Sequence, residues 1–325
     1  MDDAIGTDGL LRRFVAHAIM EGAESGYRKE RAVLTRAVAK RTSPLKQLPT
    51  LMRELPPLPE VATRALQVMR DPHSRRPDVA RLIVMDPALA GRTLAMANSA
   101  YYGLSRRITS VDEAIGYIGF EQTKQLIYAA SLQQMMAAPL SGYLLERGML
   151  WQHSLAVAIG AQWIAERLRI YPVHNAYMGG LFHDIGKLAL NRLMQEQAQR
   201  RSPDEQARSS LIQYERELTG YDHAEIGAMI AGSWQLPDDL VAAVRYHHDP
   251  GQQRPASPLV VAVHTANTIC LNAGIGAANR DHPYMFAEEA TAVSQRLGWK
   301  EEDQEQLLKH IQQQMKQAEE ILLRR

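Results

Sequence analysis

A chain of 325 residues holds one large domain or two modest ones, and 46% hydrophobic against 22% charged residues is enough apolar material for a core. A formal net charge of +1 gives no global field to draw the protein onto nucleic acid or anionic membrane, and a single cysteine, Cys270, excludes a disulfide framework and a cysteine zinc knuckle. Met1-Asp2-Asp3 opens no basic-then-apolar leader and no stretch approaches about 18 uninterrupted apolar residues, so neither a secretory signal nor a membrane span is expected, and a cytoplasmic location is.

Aromatic residues make up only 6% of the chain while Ala, Leu and Met are frequent, which favours helices over strands. An all-α fold in two helical layers is the expectation, with four segments. Residues 1–44 form an N-terminal extension with amphipathic helices over 10–20 and 28–40. The basic run there (Lys29, Arg31, Arg36, Lys40, Arg41) reads as a solvated helix face. Pro44 and Leu55-Pro56-Pro57-Leu58-Pro59 then punctuate the chain and open a helical subdomain over 45–140.

Within that subdomain Val61, Ala65, Leu66, Val68 and Met69 recur at helical spacing until Asp71-Pro72. Val79, Leu82 and Ile83 form the next stripe. Asp86-Pro87 caps and starts a helix carrying Leu89, Thr93, Leu94, Met96 and Ala97. Ser110-Val111-Asp112-Glu113 reads as a capping box before Ala114, Ile115 and Ile118, and Gly119 separates that helix from one over 121–136. The pair of helices over 79–98 has a helix–turn–helix look, but its second member offers only Arg92 as a basic reader and its turn is acidic, so nucleic-acid binding is disfavoured.

A second helical subdomain spans 141–282, with helices over 151–168, 177–193, 224–234, 238–248 and 258–271 and a polar connector over 195–206. Residues 283–325, rich in Gln, Glu, Lys and Leu, read as surface helices suited to packing on the domain or pairing with a partner or a second copy. Core positions are expected at Leu66, Met69, Leu82, Leu94, Ile115 and Leu126 in the first subdomain. Ile159, Ile164, Leu181, Leu190, Ile230 and Val263 are expected to fill the second.

Histidine carries the chemistry. Six of the 11 histidines fall in the second subdomain: His153, His183, His223, His247, His248 and His264. Asp184 follows His183 and Asn267 lies three beyond His264. A metal site for phosphate chemistry needs several imidazoles and at least one carboxylate, gathered from different helices in a bundle core. The sharpest local signal is Gly180-Leu181-Phe182-His183-Asp184-Ile185-Gly186-Lys187, where small residues permit close packing around the His-Asp pair. Lys187, one turn after Asp184, is a candidate phosphate contact or an ordinary i,i+3 ion pair with it. Singly, each histidine is read most simply as a hydrogen-bonded interior or helix-end residue, and His264 as a core histidine.

Together they have an order. His153, His183-Asp184, His223, His247-His248 and position 267 resemble the HD metal-dependent phosphohydrolase superfamily, and the wider pattern is similar to its signalling branch, the HDOD family. The stretches that carry the resemblance are Leu55 to Pro59, Asp86-Pro87-Ala88-Leu89, Ala97-Asn98-Ser99-Ala100-Tyr101-Tyr102-Gly103, Thr109-Ser110-Val111-Asp112-Glu113-Ala114, Gly180 to Leu188, Glu217-Leu218-Thr219-Gly220 with His223-Ala224-Glu225-Ile226-Gly227, Trp234-Gln235-Leu236-Pro237 and Tyr246-His247-His248. They run from about residue 50 to about 270 in order. The resemblance implies an N-terminal helical bundle packed on an HD-like helical domain, and a bacterial signal-transduction protein with little or no hydrolytic turnover. It places His153, His183, Asp184, His223, His247 and His248 on superfamily metal-ligand positions, and Asn267 where the superfamily carries a closing aspartate.

That last departure has a physical consequence. An amide ligates without charge, so Asp184 is the sole anion of the set, and one divalent ion (Fe, Mn, Zn, Mg or Ni) is expected rather than two. A hydrogen-bonded polar core without metal uses the same residues. The continuation His248-Asp249-Pro250-Gly251 lacks the Gly-Tyr-Pro loop of related cyclic-dinucleotide phosphodiesterases. The resulting expectation is a regulatory module that binds a protein partner, a second copy through its terminal helices, or a nucleotide or phosphate ligand, without a membrane. The alternative is a metal-dependent phosphohydrolase acting on a nucleotide or phosphodiester.

Overall fold

The computed structural model describes residues 58–99, 102–170, 172–198, 210–253, 257–276 and 301–322. The helices expected over 10–20 and 28–40 lie outside these residues. Among the described residues the regular structure is all-α, with no strand and one isolated bridge between Leu140 and Leu145. In chain order come α1 (Glu60–Arg70), α2 (Arg76–Val84), α3 (Pro87–Ala97), α4 (Val111–Ile118) and α5 (Phe120–Met135). A 3₁₀ turn (Ser141–Tyr143) leads to α6 (Met149–Leu168), α7 (Val173–Phe182), α8 (Gly186–Ala198), α9 (Leu211–Thr219), α10 (His223–Ser233) and α11 (Asp238–Tyr246). A second 3₁₀ turn (Pro250–Gln252), α12 (Pro258–Asn272) and α13 (Glu301–Leu322) follow.

Local chemistry explains most boundaries. Asp86 is the cap of α3, its carboxylate accepting from Ala88 N at 2.9 Å and Leu89 N at 3.1 Å, with Pro87 supplying a fixed φ at the first position. Gly119 separates α4 from α5 at φ 82°, a left-handed conformation in which a side chain is strained. The capping box expected at Ser110 does not form: the serine side chain makes no cap hydrogen bond. Glu113, which would complete the box, is instead paired with Arg106. A full charge on the preceding loop outcompetes a neutral backbone N–H for that carboxylate.

Helix α6 is the central strut, packing on α7, α12 and α13, while α10 lies against α8 and α11. The first five helices pack among themselves, and α5 reaches α6 and α7. Tyr128 of α5 meets Phe182 of α7 edge to face at 5.3 Å, and Arg70 of α1 donates to Trp234 O and Gln235 O at 3.4 and 3.1 Å. Ten of the twelve expected core positions are buried; Leu82 and Leu94 are only partly so. Leu94 borders an open cleft, and nothing in the structure explains Leu82. Fully buried side chains such as Phe182, Leu155 and Ile164 each contribute roughly 1.5–3 kcal/mol of apolar burial.

Helix α13 packs on the domain through Leu307 and Ile311, both wholly buried, with an Arg167–Asp303 ion pair alongside. Cys270 is buried, and loss of water pushes its thiol up to about 12, so it is an inert part of the α12 packing. Among the described residues no helix is long and apolar enough to cross a membrane.

Candidate metal centre

The segment 177–193, which reads from its sequence as one helix, is broken in the structure. Helix α7 ends at Phe182 and α8 begins at Gly186. Between them the chain tightens into i→i+3 turns, with Ile185 N donating to Phe182 O and Lys187 N to Asp184 O. Hydrophobic periodicity continues across the break and hides it. The cause lies in tertiary packing at Gly186: a Cβ there would stand 2.0 Å from His223 O, so only glycine lets the start of α8 meet the start of α10. His183 and Asp184 thus leave the backbone at a corner rather than on a continuous helix.

Asp184 is the hub. Its Oδ2 lies 3.4 Å from His183 Nε2, 3.8 Å from His153 Nε2 and 2.6 Å from Lys187 Nζ. Its Oδ1 lies 3.1 Å from His223 Nε2 and 3.7 Å from His247 Nε2, neither aligned as a hydrogen bond. His248 Nε2 stands 2.8 Å from His223 Nε2. Two sets of ligand atoms share Asp184: His153, His183 and Asp184, and Asp184, His223, His247 and His248, each set within 4.8 Å. His183, Asp184, His223 and His247 are all but inaccessible, whereas His248 is partly exposed.

The tautomers follow from the outer partners. His183 Nδ1 is 2.7 Å from Gly180 O and His247 Nδ1 is 2.7 Å from Val244 O. A carbonyl oxygen only accepts, so each Nδ1 carries a proton, and in the neutral His247 ring Nε2 is left as a bare lone pair. That lone pair faces the carboxylate of Asp184 with no hydrogen between them, and neither Nε2 has a hydrogen-bond partner. Lone pair against carboxylate at 3.7 Å is unfavourable unless a cation stands between them. The donor set of imidazoles and one carboxylate suits Fe, Mn, Zn or Ni.

Sequence reasoning missed Glu215. This wholly buried carboxylate on α9 accepts from His223 N at 2.8 Å and lies 2.8 Å from His223 Nδ1 through both oxygens. Tyr143, from the 3₁₀ turn far upstream, donates to Glu215 Oε1 at 2.8 Å. The arrangement orients His223 from behind, as outer carboxylates do for metal-ligating histidines. No spacing rule singles out Glu215, which sits beside Glu217 in a charged helix. The cue exists only once α9 is folded onto α10.

The remaining candidates are placed as follows. Lys187 Nζ sits on Asp184 and 5.9 Å from the centre of the Tyr143 ring. Asn267 Oδ1 is 3.0 Å from His153 Nε2, and Ile275 O is 2.9 Å from His153 Nδ1. The amide can serve His153 as donor or acceptor; an aspartate there could only accept. His264 stands outside both ligand sets and donates from Nδ1 to His247 O at 2.7 Å.

Electrostatics divide the ring of histidines. Burial, reinforced by His183, brings His153 down to about 4, and burial with His183 and His223 nearby depresses His247 strongly. His248 is depressed likewise, by burial and by His247. Burial works against charge on His223 too, but Glu215 overrides it and lifts that ring to about 9. Burial pushes Asp184 upward, yet His183 and Lys187 hold it well below the usual carboxylate range. The site therefore combines a fixed anion with neutral imidazoles at His153, His247 and His248 and with cations at Lys187 and His223.

The fold and site define an all-helical protein built, among the described residues, around a buried His-Asp hub. The model of the HDOD domain matches residues 55–250, well over half of the chain, and the chain belongs to the HDOD domain family. It is similar to an uncharacterized protein of Treponema pallidum (strain Nichols), 25% identical over 250 residues that cover 73% of this chain and 47% of the relative. The chain thus spans about half the length of that curated relative. Among solved structures it is similar to an HDOD domain protein of unknown function from Geobacter sulfurreducens, at 25% identity and TM-score 0.59, covering 86% of this chain and all of that one. A protein of Shewanella amazonensis SB2B described as a candidate phosphohydrolase matches at 25% identity and TM-score 0.65, covering 87% and 99%.

Proposed function

We propose that the protein is a regulatory module of bacterial signal transduction that works in the cytoplasm by binding a protein partner or ligand, with little or no hydrolytic turnover. In this reading an N-terminal helical bundle rests on an HD-like half, and the terminal helices offer the partner surface. The observation that carries it is the Lys187–Asp184 contact of 2.6 Å. The sole carboxylate among the metal-ligand candidates is already neutralised by an internal ammonium, and Asn267 adds no charge. Two divalent ions held chiefly by neutral imidazoles would be poorly compensated, and a water between them poorly activated.

One ion fits. Asp184, His223, His247 and His248 would hold it, or His153, His183 and Asp184 on the other side of the shared carboxylate, with Glu215 fixing the His223 ring and His264 fixing the His247 backbone. When bound, such an ion supplies folding free energy and Lewis acidity. The chain's own part is to keep the imidazoles in the ligating tautomer and to exclude solvent from all the ligand candidates but His248, with Lys187 also partly exposed at the edge. A second reading, metal-dependent phosphohydrolysis, draws support from that one partly exposed imidazole, through which a phosphate could approach.

Metal analysis of freshly purified, untagged protein together with a panel of phosphomonoesters, nucleotides and phosphodiesters separates the two. The regulatory reading expects at most about one divalent ion per chain and turnover far below the roughly 1 per second of ordinary enzymes. Two ions per chain, with turnover at that rate lost in His183→Ala but with stability intact, would establish the hydrolase instead.

A further inference from the structure

Lined by none of the metal-ligand candidates, an open cleft of about 1290 Å³ lies between helix α3, the loop over 102–109 and the C-terminal part of α5. Arg92, Arg106 and Arg107 line it, together with Gln133 and an apolar wall that includes Leu94 and Ile108. We infer that this cleft binds a nucleoside di- or triphosphate, with Arg92 and Arg107 on the phosphoryl groups and the base against the apolar wall.

The three arginines are not alike. Arg106 is paired with Glu113. Among the described residues, Arg92 and Arg107 make no ion pair and no hydrogen bond. The only carboxylate that acts on Arg92 is Asp86, whose oxygen is committed to capping α3, and burial disfavours the guanidinium charge. A half-buried cation with no direct ion pair at the wall of a cleft is a standing cost that a bound anion lowers. Arginine's planar fork matches a phosphoryl group, so two free forks suit two of them.

The other end of the ligand is specified by Gln133. Its Oε1 is buried and accepts no hydrogen bond. A base edge that carries an amino or imino N–H would satisfy it, which inorganic phosphate cannot do. The loop is also held ready. The Asn98 amide donates to Leu94 O and Ile108 O at 2.8 Å each and accepts from Ile108 N at 2.7 Å, clamping the loop to the end of α3. A duplex nucleic acid is a poorer fit, because two free cations in a concave wall fall short of the phosphate contacts a duplex binder makes.

The test uses the full chain, with ADP, GDP, ATP and inorganic pyrophosphate titrated calorimetrically. At least one nucleotide should bind with one-to-one stoichiometry, at least about tenfold tighter than pyrophosphate. Arg92→Ala and Arg107→Ala should each weaken it about tenfold or more, and His183→Ala should leave it unchanged. Gly91→Leu supplies a variant that keeps its fold: a Cβ at Gly91 meets nothing within 4 Å, so the side chain enters the cleft while helix propensity rises, and nucleotide binding should be lost. Four results would overturn the inference: no nucleotide binding at millimolar concentration, pyrophosphate binding as tightly as the nucleotides, binding that survives the arginine and Gly91 substitutions, or a 20-base-pair duplex that binds more tightly through the same arginines.

Discussion

Two regions of this molecule handle charge in opposite ways. Around Asp184 every ionised group is answered from within: Lys187 on one carboxylate oxygen, His223 near the other, Glu215 behind His223 and Tyr143 on Glu215. Along α3 and the following loop two arginines line a cleft and, among the described residues, form no ion pair. The first region is sealed, so an uncompensated charge would cost several kcal/mol and the fold supplies the partners itself. The second is wet, where a free guanidinium is tolerable and leaves its fork available to a ligand. The contrast separates a site that organises the fold from one that can report on a solute.

The sharpest way to break this comparison is Glu215→Ala. It strands His223 Nδ1 in a dry interior and removes the carboxylate to which Tyr143 donates, and we expect a loss of about 3–5 kcal/mol in urea unfolding. Arg107→Ala should change stability by less than about 0.5 kcal/mol, because the side chain is exposed and makes no ion pair among the described residues. Equal losses in the two variants would erase the distinction between the regions.

Acidification probes the sealed region next. In chelator-treated protein, His153 is held neutral down to about 4, and His247 and His248 are depressed in the same direction. The unfolded chain takes up protons at these rings near pH 6.5 while the folded chain does not. Their contribution is therefore full above about 6.5 and lost as pH falls toward 4. His223, raised to about 9, runs the other way: its contribution is full below about 6.5 and is lost as pH rises through 9. Thermal melts from pH 4 to 10 should show stability falling at both ends, and Glu215→Gln should remove the alkaline fall while sparing the acidic one.

Charge at the hub can also be retuned. Lys187→Met frees Asp184, and Asn267→Asp adds a second anion beside His153; each should tighten divalent-ion binding about tenfold or more, read by calorimetry. Unchanged affinity in both variants would remove the argument that internal cations and the missing aspartate limit metal loading. The smallest expected effect is Asn98→Ala, which releases the clamp on the cleft loop. Its hydrogen bonds are exposed or half-buried, so stability should fall by about 1–2 kcal/mol, while nucleotide affinity falls several-fold as the loop loosens.

Much of the local structure was readable from the chain. Asp86-Pro87 announced a helix start, and the cap forms as the residue types require. Gly119 announced a break, because its conformation is one that other residues resist. These are decisions made within a few residues by backbone sterics and nearby hydrogen bonds, so sequence spacing captures them. Where a distant partner competes, spacing fails, as at Ser110, whose box loses Glu113 to Arg106.

The order of histidines along the chain was likewise legible, since residue type and spacing are all it needs. Their convergence on Asp184 was not. Apolar periodicity runs straight through 177–193, while the break at 183–185 is imposed by α10 pressing on Gly186, a contact across many residues of chain. Glu215 and Tyr143 join the site by the same route, and Arg92 and Gln133 line one cleft because α3 packs on α5. The sequence by itself determined a helical protein of the HDOD family and the residue types at its hub, because periodicity, caps and motif order are properties of neighbours. Tertiary structure alone decided which charges are answered and which stand free, because a charge finds its partner through space.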